Sequence, residues 1–92
     1  MMYAVVGRVS LDPGRMDEII GSLESMVVPT VTSQEGHVAS YFTRSGDGTN
    51  GLSVSVFGTK QQAEDSASTM VSPPEAPVTI EDVEVREVIG HG

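Results

Sequence analysis

Residues 51–68 read GLSVSVFGTKQQAEDSAS. From Leu52 to Phe57, apolar and small polar side chains alternate, which is the two-residue period of a strand. Gly58 ends the run. Thr59-Lys60-Gln61-Gln62 then has the form of a capping box, with Thr59 as N-cap and Gln62 reaching back to the free backbone N–H. The helix that follows carries Ala63, Ala67, Met70 and Val71 on one face, and its two alanines imply a close approach to the layer beneath. Phe57 stands at the joint, where two readings are open: a core residue at a strand end, or the wall of a pocket.

The start of the chain repeats this order. Tyr3 to Leu11 alternates, with Tyr3, Val5, Gly7, Val9 and Leu11 on one face and Ala4, Val6, Arg8 and Ser10 on the other. Asp12-Pro13-Gly14 ends it, Asp12 suiting an N-cap and Pro13 the first helical position, where a missing N–H costs nothing. Met16, Ile19, Ile20, Leu23 and Val27 follow at helical spacing. Pro29 predicts a kink or an end to that helix, and a looser turn through Val31 to Gln34.

His37 to Arg44 and Leu52 to Phe57 are expected to pair as antiparallel neighbours, because the segment between them holds both Asp47-Gly48 and Asn50-Gly51. That segment lacks the alternating oxygen ligands of a calcium loop and reads as a turn. Ser72 to Pro77 predicts an extended connector. The last strand, Val78 to Ile89, changes phase near Glu81-Asp82, which predicts a bulge or bend.

Strand, helix, strand, strand, helix, strand is the ferredoxin-like βαββαβ plan, an α+β fold with both helices on one face of a four-stranded antiparallel sheet. Both faces of the strands carry apolar residues, so the sequence does not choose which one meets the helices. The face left bare needs a cover, and a second copy related by a two-fold axis supplies one. A homodimer through the sheet face, a dimeric α/β barrel, is therefore expected.

Length and charge narrow the function. Residues 1–92 make one domain, and a chain of this size buries only about 60–65% of its unfolded surface, so an apolar interface would help it. No cysteine is present, which removes disulfides, thiolate nucleophiles and cysteine-ligated metal. The two histidines, His37 and His91, make no recognisable ligand set, so no metal is expected. The apolar start is interrupted by Arg8 and is too short for a signal peptide or a membrane span, so a soluble cytoplasmic protein is expected. Thirteen acidic and five scattered basic residues give a net charge of −8, which argues against nucleic acid and anionic membranes as partners.

Three stretches, VSLDPGRMDEI (9–19), GHVASYFTRSGDG (36–48) and LSVSVFGTKQQAE (52–64), together resemble the antibiotic biosynthesis monooxygenase family of the dimeric α/β-barrel superfamily. The resemblance covers nearly the whole chain. It implies a pocket between sheet and helices in which some members oxygenate aromatic polyketides without metal or flavin, others oxidise quinols or degrade haem, and others have no known activity. The haem-degrading members use an asparagine, a tryptophan and a histidine; at the matching places stand Gly7, Phe57 and no histidine between Thr59 and Val71, so haem degradation is not implied.

The candidate polar residues are His37, Tyr41 and Arg44. His37 could serve as a general base, since histidine is the side-chain type suited to that role near neutral pH. Tyr41, placed by simple alternation on the same face as His37 and Ala39, could donate a hydrogen bond to a quinone or phenolate oxygen. Arg8, Arg44 and Arg86 should meet carboxylates or reach solvent. Phe57, Ile20, Leu23 and Met70 are the candidate apolar wall. The functional expectation is a monooxygenase-like protein, cofactor-independent, acting on a small aromatic or quinol. The alternatives are a non-catalytic small-molecule binding domain of the same fold, or a structural dimer.

Overall fold

The computed structural model describes residues 1–92. Four strands, β1 (Tyr3–Leu11), β2 (His37–Phe42), β3 (Asn50–Phe57) and β4 (Val78–Glu87), form one sheet in the order β2-β3-β1-β4, every neighbouring pair antiparallel. A helical arm joins β1 to β2, and helix α3 (Lys60–Ala67) joins β3 to β4. The arm comprises a 3-10 turn (Pro13–Arg15), α1 (Met16–Ser22), a wide π turn (Leu23–Val27) and α2 (Val28–Thr32). This is the α+β, ferredoxin-like arrangement expected from the sequence. No helix is long and apolar enough to cross a membrane.

Register decides which face is covered. Val5 of β1, Phe57 of β3 and Ala63 of α3 form the buried centre, with Tyr3, Val31, Ala67, Met70, Val83 and Val85 packed around it. The helix side of β1 is thus Tyr3, Val5 and Gly7, level with Phe57, Ser55 and Ser53 of β3. The uncovered side presents three rows across the sheet. Ala39, Val56, Ala4 and Arg86 form one, Tyr41, Val54, Val6 and Glu84 the next, and Leu52, Arg8 and Asp82 the third. Strand β3 therefore turns its serines toward the helices and its valines away.

The ends of the arm follow local chemistry. Asp12 Oδ1 accepts from the Gly14 N–H at 3.0 Å, and Arg15 grips Glu18 through two bonds of 2.7 and 2.8 Å. Of the two outcomes expected at Pro29, a kink or an end, the end does not occur. The Val28 N–H bonds back five residues to the Leu23 carbonyl, and this widened turn places Pro29 in the first turn of α2, where no N–H is required of it.

Other local expectations divide. Thr59 accepts from the Gln62 N–H at 3.2 Å while Gln62 Oε1 accepts from the Thr59 N–H at 3.1 Å, so the capping box is complete. Strand β4 is bulged at Glu81: Arg8 pairs with Asp82 and Val9 with Ile80. Helix α3, however, closes at Ala67, so Val71 lies beyond it and is 82% exposed rather than on the inner face. The proline connector is not simply extended, since the Ala76 N–H closes a turn on the Pro73 carbonyl at 3.0 Å.

The β2–β3 loop is organised by Asp47. Its Oδ1 accepts from the Ser45 hydroxyl (2.7 Å) and from the Thr49 hydroxyl (2.7 Å) and N–H (3.0 Å), while Gly48 takes the left-handed conformation, φ +74°, that favours glycine. The Ser45 hydroxyl first, then the Thr49 N–H and hydroxyl, hold the Asp47 carboxyl down at about 2.

Two measurements check these local devices. Thr59→Ala should cost about 1 kcal/mol, lowering the melting temperature by about 4–8 °C. Because the Asp47 carboxyl is depressed on folding, its contribution is complete above its unfolded value near 4 and disappears as pH falls through about 2. Asp47→Asn should therefore flatten the stability profile between those limits and leave its shape above pH 5 unchanged.

Candidate functional site

Strand β2 opens with a register shift. His37 pairs with Phe57 but Ala39 pairs with Val56, so Val38 is an extra residue and the parity of the strand changes there. His37 is carried to the helix side, together with Ser40. Tyr41 goes to the uncovered side in the row with Val54 and Val6, 67% exposed. His37 and Tyr41, expected on one face, stand on opposite faces because alternation was counted through the bulge.

On the helix side the polar groups form a chain. His37 Nε2 lies 2.8 Å from Ser40 Oγ, and the Ser40 hydroxyl donates to Ser55 Oγ at 2.9 Å. The His37 ring stands edge-on to Phe57, with centroids 5.8 Å apart and planes at 80°. Ser55 is buried, and His37 and Ser40 are half-buried. No buried side-chain polar atom in the protein lacks a hydrogen-bond partner, so the chain can sit in an apolar layer without a desolvation penalty left open.

The remaining candidates are dispersed. Arg44 lies beyond the end of β2, exposed, where Pro13, Met16 and the Ser45–Gly48 backbone enclose an open hollow of about 260 Å³. A second open hollow, about 340 Å³, is formed by Pro13 to Glu18. Arg8 pairs with Asp82 at 3.8 Å and Arg86 with Glu84 at 2.6 Å on the uncovered face, while Arg44 makes no ion pair. Phe57 is fully enclosed between Val5 and Ala63 and offers no surface to a ligand in this conformation. Leu23 and Met70 are half-buried and Ile20 is exposed.

The arrangement brings His37 together with two residues that sequence reasoning passed over, Ser40 and Ser55. The signal for Ser55 was present in LSVSVF, whose alternation sets both serines on the face of Phe57 and both valines on the face of Leu52; deciding which face meets the helices required the register. No three histidine, aspartate or glutamate side chains converge on a common point.

A family model described as antibiotic biosynthesis monooxygenase matches residues 2–70. No curated protein matches the chain. Among solved structures, that of Rv0793 from Mycobacterium tuberculosis is similar with a TM-score of 0.61 and 14% identity, over 99% of this chain and 98% of that one, a likeness of fold.

Phe57→Ala should be the costliest single truncation in the protein, about 3–5 kcal/mol, measured by urea unfolding. Ser55→Ala, which removes the acceptor of the Ser40 hydroxyl, should cost about 1 kcal/mol.

Proposed function

The chain belongs to the antibiotic biosynthesis monooxygenase family, and on that premise we propose that it oxygenates a small phenolic aromatic or quinol, without a cofactor, in the space between its helical arm and its sheet. The observation that supports this is the His37–Ser40–Ser55 chain. With the Ser40 hydroxyl donating to Ser55, Ser40 accepts from His37 Nε2–H, and Nδ1 of the neutral ring is left as a proton acceptor.

Dioxygen reacts with such a substrate only after the substrate gives up a proton. For an anthrone-type ring, Nδ1 takes a proton from the activated methylene and the carbanion passes one electron to dioxygen. The resulting pair combines to a peroxide anion on that carbon, which takes the proton back from His37 and becomes a hydroperoxide. Loss of water then leaves a ketone, so one oxygen atom enters the product and the other leaves as water. Ile20, Leu23 and Met70 are the proposed apolar wall. Phe57 acts from behind, as the surface against which His37 is held.

The same proposal includes a cytoplasmic homodimer. Leu52, Val54 and Val56, with Ala4, Val6, Ala39 and Tyr41, make an apolar field on the uncovered face, flanked by the Arg8–Asp82 and Arg86–Glu84 pairs. Tyr41 is then a subunit contact rather than a substrate contact. A second reading, binding without turnover, is favoured by the enclosure of Phe57.

Oxygen uptake with anthrones and quinols tests the reaction. His37→Ala should slow it by roughly 10²-fold or more while the substrate still raises the melting temperature. A melting shift without uptake supports the second reading, and neither response with any aromatic overturns both. Val54→Glu should convert a sedimenting dimer to a monomer that keeps its secondary structure.

A further inference from the structure

Gly7 lies at the middle of β1 on the helix side, level with Ser53 of β3 and Val83 of β4. A Cβ on Gly7 would stand 2.8 Å from Met70 Cε and 2.7 Å from Ser53 Oγ. The methyl group of Met70 thus occupies the place that a side chain on β1 would otherwise fill. Met70 comes to it from beyond α3, its N–H bonded to the Ala67 carbonyl at 3.1 Å, immediately before the proline connector. The backbone is held there by one turn. The half-buried side chain is an unbranched thioether held by packing alone, the type that leaves a site most readily.

Beside the same position, Ser53 differs from its neighbour. Ser55 is bonded to Ser40, whereas the half-buried Ser53 hydroxyl has no hydrogen-bond partner in the protein. A glycine whose side-chain space is taken by a flexible methyl, beside a hydroxyl that is unbonded and reaches solvent, is a flat floor with one polar group and a removable occupant. The bonded chain of His37, Ser40 and Ser55 begins one inward position further along the same strand.

We infer that Met70 is a displaceable plug over a ligand subsite whose floor is Gly7 and whose hydrogen-bonding group is the Ser53 hydroxyl. The occupant is the hydroxyl-bearing edge of a small planar aromatic, which swings the Met70 side chain aside and bonds Ser53. The inference takes its ligand class from the function proposed above and does not require turnover. Displacing the plug lowers the apparent affinity of the intact protein, and truncating it removes that cost.

The experiment is a titration with phenol and with toluene, which has the same size and no hydroxyl. With methionine methyl groups labelled with ¹³C, phenol should move the Met70 signal and leave that of Met26 unchanged. Met70→Ala should bind phenol about tenfold more tightly than the parent. Ser53→Ala in that background should reduce the preference for phenol over toluene by about fivefold. A Met70 signal that stays in place up to the highest phenol concentration overturns the inference, as does unchanged affinity in Met70→Ala or unchanged preference in Ser53→Ala. If Met70→Ala does not fold, the methyl titration of the parent protein decides alone. Phenol-dependent displacement of Met70 with no oxygen uptake from anthrones or quinols sustains the plug and removes the proposed reaction; such uptake with Met70 stationary in phenol does the opposite.

Discussion

The packing of Phe57 against Val5 and Ala63 fixes the parity of β3, and the parity of β3 fixes nearly everything else. Side chains on a strand alternate with a period of two, so an inward Phe57 obliges Ser55, Ser53 and Gly51 to point inward and Val56, Val54 and Leu52 outward. A slip of one residue would bury the valines under the helices and expose the serines, the pattern of an ordinary half-covered sheet. What holds the less obvious register is the largest fully buried side chain in the protein, at the end of the strand, where the strand passes directly into the capped helix that covers it.

Both proposed surfaces follow from that choice. The serines turned inward give Ser40 and His37 something to bond, so a polar chain crosses a layer that would otherwise be hydrocarbon. The valines turned outward leave an apolar field that one chain alone does not cover. The proposed site between sheet and helices and the proposed binding face behind the sheet are two sides of one strand, so a slip of its register would act on both.

The sequence disclosed the features that rest on short-range chemistry. Thr59 with Gln62, the Asp47-Gly48 turn, Asp12 before Pro13 and the phase change at Glu81 each involve residues a few positions apart, and each appears where it was expected. What it hid depends on partners far along the chain. The extra residue Val38 has no compositional mark, yet it moves His37 to the face opposite Tyr41 and so divides the candidate site. Pro29 predicted a kink or an end, and the π turn that accommodates it is a property of the hydrogen-bond register, not of any residue type. His37 could be named from its chemistry, but Ser40 and Ser55 became its companions only through strand pairing.

The two irregular positions in the sheet, Val38 and Glu81, both fall on its outermost strands, β2 and β4. An outermost strand carries unpaired N–H and C=O groups that can recruit another chain into a continuous ribbon. A residue out of step at each margin twists the ladder there and spoils the template. Lateral growth toward fibrils is thereby obstructed from both sides, and a concentrated solution of this chain is steered toward finite assemblies rather than open-ended ones.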